Sequence, residues 1–167
     1  MLILGLDPGS RHTGYALVQA EGGSLTAVTY GRFSCPASQP VPQRLAELAQ
    51  HLSELVARWE PHVAVLETPF HGLNSRSLVV LAEARGALLA VLAARGLEIA
   101  EYSPAEVKSA VSGHGRADKE QVARMVRLHL ALSDEKISSD ASDALAVAIC
   151  FAQRERMDRL VANPRNP

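Results

Sequence analysis

Four acidic residues stand where carboxylates commonly do chemistry. Asp7 follows the apolar run that opens the chain, Glu67 follows a second apolar run, "VAVL", and Asp140 and Asp143 lie three residues apart in "SSDASDALAV". If folding brings the four together, their repulsion raises their pKa values, and bound cations relieve it. Oxygen ligands of this kind select Mg²⁺ or Mn²⁺. Two such ions can activate water and stabilise a leaving oxygen, so the pattern indicates phosphodiester hydrolysis, the chemistry of a nuclease.

Each acid also has a purely structural interpretation. Asp7 could begin the Pro-Gly turn of "DPGS", and Glu67 could be a solvated strand end. Asp140 could cap the following helix while Asp143 faces the first-turn N–H groups. Residues three apart share a helix face, so capping would not prevent this pair from binding an ion.

A local excess of positive charge lies between residues 108 and 127. Five cations, at positions 108, 116, 119, 124 and 127, face two acids, which gives 5 − 2 = +3, whereas the whole chain carries −1. The glycine-containing turn "SGHGRAD" and the helix start after it suit a phosphate group. This basic segment is therefore a candidate phosphate-binding surface, although a solvated helix face would show the same charges.

The loop "TPFHGLNS" follows Glu67 directly and holds further candidates. Phe70 could stack on an unpaired base, or could simply anchor the loop. Asn74 and Arg76 could bind a phosphate. Arg85 and Arg95, further along the next helix, are predicted to be ordinary surface charges.

The surrounding pattern predicts the elements that must position these residues. β-rich segments at residues 1–6, 15–19 and 25–34 predict an antiparallel meander. Helical periodicity covers 43–59, 77–95 and 118–130, shorter helices begin near 104 and 140, and strands cover 62–66 and 97–102. The expected fold is α/β, a mixed five-stranded sheet flanked by helices in one domain, residues 1–157, with a flexible tail at 158–167.

Composition favours an intracellular protein. We expect a cytoplasmic location and no membrane span, since no leader pattern opens the chain and no stretch approaches about 18 apolar residues. Cys35 and Cys150 lie far apart without histidines at metal spacing, which argues against a zinc site or a disulfide framework. We expect both thiols to be reduced, with Cys150 in the core.

Four segments in matching order resemble the RuvC family of Holliday junction resolvases over roughly residues 1–152. They are "GLDPGSRHTGYALV", "LETPF" with the later "NSRSLVVLAEARG", "EYSPAEVKSAVSGHGRADKEQVARMV" and "DASDALAVAIC". The resemblance implies an RNase H-like fold, a homodimer, and paired symmetric nicks in four-way junction DNA during recombination and repair. It further implies two Mg²⁺ ions per subunit, with Mn²⁺ as a possible substitute, and the branch-migration proteins RuvA and RuvB as partners.

On matching positions, the resemblance assigns the family's catalytic, metal-binding carboxylates to Asp7, Glu67, Asp140 and Asp143. It assigns DNA contacts to Lys108 and Lys119, with Lys119 nearer the cut phosphate, and base stacking to Phe70. Three other functions are open: an ATPase of the actin type, which the short chain disfavours, a non-catalytic DNA-binding module, and an RNase H-like nuclease that cuts hybrids. One face of the helix at 77–95 is a candidate dimer contact.

Overall fold

A five-stranded mixed sheet forms the centre of the molecule. The computed structural model describes residues 1–68, 75–133 and 136–162. The strands run in the spatial order β3-β2-β1-β4-β5, with β1 to β3 antiparallel and with β4 and β5 parallel to β1. This arrangement confirms the predicted mixed sheet and its meander. The strands are β1 (Leu2–Asp7), β2 (His12–Glu21), β3 (Ser24–Ser34), β4 (Val63–Glu67) and β5 (Glu98–Tyr102).

Within the described residues, five helices cover the two faces of this sheet. They are α1 (Val41–Trp59), α2 (Ser75–Ala94), α3 (Pro104–Ser112), α4 (Lys119–His129) and α5 (Ser139–Ala162). On one face, α1 and α2 pack on Leu4 and Leu6 of β1. On the other, α5 packs with α3 and α4 against Ile3 of the same strand. Because side chains alternate along a strand, Asp7 points to the face that α5 covers.

Two glycines let α5 lie close to the sheet. A Cβ atom on Gly5 would collide with the backbone oxygen of Ala144, and one on Gly14 would collide with the backbone oxygen of Asp140. Gly14 is also the partner of Asp7 in the antiparallel ladder between β1 and β2. The absence of side chains at these two positions therefore brings the start of α5 down beside Asp7.

The first half of α5 is buried on all sides, as predicted from its apolar sequence. Residues 144–152 are all buried, Cys150 among them, and burial raises the pKa of the Cys150 thiol to about 11. Cys35 is buried as well and is a free thiol. The helix continues to Ala162, so residues 158–162, which the sequence placed in a tail, are helical. Residues 163–167 lie outside the described residues.

The outer face of α2 departs from the sequence expectation. Residues Arg76–Ala94 are long and apolar enough to cross a membrane by length and composition, contrary to the prediction that no stretch qualifies. The prediction was wrong because it considered uninterrupted apolar stretches, and Glu83 and Arg85 interrupt this one. Only 17% of the window is buried. Leu78 and Val79 are among its exposed residues, so this apolar face has no cover within the described part of the chain.

Candidate active site at the carboxyl ends of β1 and β4

Two carboxylates project from neighbouring parallel strands. Leu6 of β1 pairs with Leu66 of β4, so the next residues along, Asp7 and Glu67, stand side by side at the carboxyl ends of these strands. Val63 and Val65 pack in the core on the α5 side of the sheet, and alternation places Glu67 on that side too. Ligand sites in α/β sheets form at such strand ends.

The beginning of α5 supplies the other two carboxylates. Asp140 and Asp143 lie one turn apart on this helix, near Asp7. The sequence left open whether Asp140 caps the helix, but Ser138 takes that position: its Oγ accepts from the Ala141 N–H at 3.3 Å, and its carbonyl oxygen accepts from Ser142 at 2.9 Å. Asp140 is thereby free of capping, and its carboxylate is available for other contacts.

Each of the two α5 carboxylates is paired with a cation. Lys119 Nζ donates to Asp143 Oδ2 at 3.1 Å and to the Ser139 hydroxyl at 3.3 Å. Arg32 Nη1 donates to Asp140 Oδ2 at 3.4 Å. The hydrogen bond and the charge of Asp143 raise the pKa of Lys119, so the ammonium remains charged in this setting.

Local capping fixes where Lys119 stands. The Asp118 carboxylate accepts from the Gln121 backbone N–H at 2.8 Å, and the Gln121 side chain accepts from the Asp118 N–H at 3.2 Å. This capping box begins α4 at Lys119 and directs the end of the glycine-containing turn toward the site. The capping box orders the backbone, while the Lys119 side chain stays 76% exposed.

A cavity of about 410 Å³ unites the acids with three cations. Its walls include the carboxylates of Asp7, Glu67 and Asp143 and the cationic side chains of Lys108, Lys119 and Arg85. Carboxylates and cationic side chains that line one cavity can hold metal ions and a phosphate group together.

Neighbouring acids perturb the ionisation of Asp7 and Glu67. Burial, and then repulsion from Asp143, Glu67 and Asp140, raises the pKa of Asp7 from its ordinary 3.8 to about 7. Burial, followed by repulsion from Asp143, also raises the pKa of Glu67, while Lys108 and Lys119 oppose that rise. The four carboxylates therefore share one electrostatic field. Placing anions this close is costly unless a cation compensates them.

The carboxylate oxygens of the site suit hard divalent cations, but the side chains do not converge on the position of a single ion. Across residues 1–68, 75–133 and 136–162, no three acidic, histidine or cysteine side chains are close enough to hold one ion together. Asp140 and Asp143 instead pair with cations of the protein, Arg32 and Lys119 respectively. Divalent ions would compete with Arg32 and Lys119 for these oxygens.

Of the other predicted DNA contacts, one lines the cavity and one lies away from it. Lys108 lines the cavity, as expected from its position on α3. Arg76 lies instead beside a groove between α1 and α2 that also includes Val41 and Glu83. Phe70 and Asn74 lie outside the described residues, so their contacts stay predictions.

Two arginines were missed or misjudged from the sequence. Arg85, predicted to be a surface charge, is only 16% exposed, forms an ion pair with Glu101 of β5 and lines the cavity. Arg95 does lie at the surface, where it donates to the Ser53 hydroxyl at 2.7 Å. Arg32 was not predicted to be a site residue. Its place beside the site follows from its pairing with Gly14 across β2 and β3, which no local pattern reveals.

The amino-acid sequence matches a family model and is similar to known proteins. The family model described as crossover junction endodeoxyribonuclease RuvC matches residues 3–151. A relative of that name from Syntrophomonas wolfei is 41% identical over 157 residues, covering 94% of this chain and 91% of its own length. Another, from Moorella thermoacetica, is 44% identical over 152 residues and covers 91% of each chain.

Solved structures agree with the sequence comparisons. The chain is similar to Thermus thermophilus RuvC in complex with a Holliday junction substrate, with a TM-score of 0.89, 30% identity, and coverage of 95% of this chain and 96% of that one. The fowlpox virus resolvase with its junction DNA gives a TM-score of 0.56 at 12% identity, covering 91% of this chain and 99% of that one, which shows a shared fold alone. The predicted RNase H-like α/β fold is confirmed by the RuvC matches.

Proposed function

Since this chain belongs to the RuvC family of crossover junction endodeoxyribonucleases, we propose that it resolves four-way DNA junctions at the carboxylate site described above. The observation that carries the site assignment is the convergence of the acids: Asp7, Glu67 and Asp143 line one cavity, and burial together with repulsion from the neighbouring acids raises the pKa of Asp7 to about 7. A structural role as turn and cap residues would not require such repulsion. The reaction is hydrolysis of phosphodiester bonds in DNA, with one nick in each of two symmetric strands.

The proposed cofactor is a pair of Mg²⁺ ions per subunit, for which Mn²⁺ can substitute. The ligands are the four carboxylates Asp7, Glu67, Asp140 and Asp143. When bound, the ions supply an activated water and stabilise the departing 3′ oxygen. Asp7 and Glu67 hold fixed positions because their strands are rigid and central, and α5 presents the other two on one helix face.

The basic residues of the site bind and orient the DNA backbone in this proposal. Lys119 and Lys108 rim the cavity that the acids line, so a phosphate entering it would meet both ammonium groups. Lys119 is assigned to the phosphate that is cut, because it already contacts Asp143. Phe70 is proposed to stack on an unpaired base, and Asn74 and Arg76 to contact the backbone beyond it.

A homodimer is the proposed assembly. Symmetric cutting requires two active sites, and a two-fold dimer provides them. The exposed apolar face of α2, with Val79 56% exposed, supplies a surface for a second copy of the chain. This assignment also accounts for the apolar character of α2 in a DNA-processing protein without a membrane. We further propose that the protein acts in the cytoplasm and that RuvA and RuvB are its partners, both by analogy with the family.

Cleavage of matched substrates tests this function. Wild-type protein is incubated with an end-labelled synthetic four-way junction, a duplex of the same sequence and an RNA–DNA hybrid, each with Mg²⁺, Mn²⁺ or EDTA. We expect paired nicks at symmetric positions in the junction alone, and only with a divalent ion. Cutting of the hybrid would move the chain to another RNase H-like activity, and tight junction binding without nicks would identify a binding module.

A further inference from the structure

Arg32 stands beside the active site without an assigned role. It lies on β3 opposite Gly14, and Gly14 in turn pairs with Asp7 across β1 and β2. Two strand spacings therefore separate Arg32 from Asp7, about 10 Å across the sheet. Gly14 lets the backbone of Asp140 lie close against the sheet, and the Arg32 guanidinium contacts the Asp140 carboxylate there at 3.4 Å.

The position of Arg32 complements that of Lys119. Lys119 approaches the α5 acids from α4 and pairs with Asp143 at 3.1 Å, whereas Arg32 approaches from the β3 edge of the sheet and pairs with Asp140 at 3.4 Å. Arg32 does not line the cavity that contains Lys108 and Lys119. The two pairs thus place one cation on each side of the proposed site.

Arg32 can readily exchange its ion pair with Asp140 for a contact with another anion. The arginine side chain is 47% exposed, the contact is long, and it uses a single nitrogen of a group with five N–H donors. Most of the guanidinium is therefore available to another anion. A divalent ion bound to Asp140 would weaken the pair further, because it neutralises the carboxylate that holds Arg32.

We propose that Arg32 binds a backbone phosphate of the junction on the β3 side of the cut site, opposite the phosphate held by Lys119. Arginine suits this task because its planar fork binds two phosphate oxygens at once. The inference rests on the proposed function and extends it: divalent ions that engage Asp140 release Arg32 for DNA. Metal binding and DNA binding are thereby coupled through one side chain.

The test is the salt dependence of junction binding by Arg32→Ala. Binding of a fluorescent synthetic four-way junction is measured by anisotropy at several salt concentrations, in Ca²⁺ and in EDTA, with the integrity of the junction checked on a denaturing gel. Removal of one phosphate contact lowers the slope of log affinity against log salt by about 0.9 per subunit. We expect this loss in Ca²⁺ and a smaller one in EDTA, where Asp140 retains Arg32.

Arg159→Ala is the matched control. Arg159 also pairs with a carboxylate, Glu155 at 2.7 Å, and its removal changes the net charge equally. It lies about 28 Å along α5 from Asp140. Its binding slope is therefore expected to match that of the wild type. In a background of Asp140→Asn, loss of Arg32 should lower the slope equally with and without Ca²⁺.

Two results would overturn the proposal. One is an Arg32→Ala slope equal to that of Arg159→Ala in Ca²⁺. The other is an unchanged slope with weaker Mn²⁺ binding by the protein alone, which would make Arg32 a positioning residue for Asp140. A wild-type protein that binds duplex as tightly as junction would refute the proposed function itself, and this result is obtained before any variant is compared.

Discussion

Replacing Asp7 with asparagine should stabilise the protein at the cost of its activity. Burial and three neighbouring acids raise the pKa of Asp7 to about 7, against an ordinary value of 3.8. A displacement of about 3 pKa units corresponds to about 4 kcal/mol between the two protonation states. Because the site opens to solvent, we discount this to about 2 kcal/mol of folding free energy that ionised Asp7 costs in the absence of divalent ions.

The sign of the pH dependence follows from linkage. A carboxyl group whose pKa is raised by folding contributes its stability fully below its unfolded pKa, and this contribution is lost as pH rises through the folded pKa. The wild type should therefore lose stability between about pH 4 and pH 7, and Asp7→Asn should lose less. The difference between the two proteins is expected to be near zero at pH 4 and to reach about 2 kcal/mol at pH 8.

Urea denaturation in EDTA at several pH values measures this difference. Asp158→Asn makes the same chemical change at an exposed position of α5 and should alter stability by less than about 0.5 kcal/mol. With Mg²⁺ the order should reverse, since ion binding stabilises the wild type and the variant lacks a ligand. An Asp7→Asn protein that is no more stable than the wild type at pH 8 in EDTA would show that ionised Asp7 does not destabilise the fold.

Three further changes test the packing around the site and the proposed dimer contact. Gly14→Ala places a Cβ against the backbone oxygen of Asp140, and should lower the free energy of unfolding by about 1–3 kcal/mol and slow junction cleavage, as measured by urea denaturation and single-turnover kinetics. Arg85→Met leaves Glu101 without its ion-pair partner and should lower the free energy of unfolding by about 1–2 kcal/mol. In a double-mutant cycle, adding Glu101→Gln should recover part of this loss, whereas additive losses would argue against the ion pair. Val79→Lys charges the apolar face of α2 and should convert a dimer to a monomer in analytical ultracentrifugation, while an unchanged sedimentation coefficient would place the dimer contact elsewhere.

Local patterns predicted much of the scaffold. The bounds of α1, α2 and β5 lie within two residues of those expected, because helical periodicity and the glycine at position 96 are local signals. The four acids were also found from the sequence, each from its own position beside an apolar strand or helix. The rule that ligand sites form at strand ends applies to Asp7 and Glu67, whereas the approach of Asp140 and Asp143 depends on the close packing of α5 on Gly14.

Tertiary contacts could not be predicted from local sequence patterns. The helix pattern of α2 is apolar nearly all round, so it gave no indication that Arg85 turns inward to Glu101. The register between β2 and β3 shifts at Leu17 and Val18, so the partner of Arg32 could not be counted from the turn. The capping of α5 by Ser138 rather than Asp140 depends on a difference of two positions, which lies within the usual error of a helix boundary.

In the proposed function, four carboxylates hold divalent ions where DNA is cut. Anomalous scattering from crystals soaked in Mn²⁺ measures this directly. We expect two strong peaks at about 2 Å from carboxylate oxygens, shared among the acids Asp7, Glu67, Asp140 and Asp143. We also expect Lys119 and Arg32 to have moved away from Asp143 and Asp140. A site that takes no Mn²⁺ while both ion pairs stay intact would show that these acids are not the metal ligands.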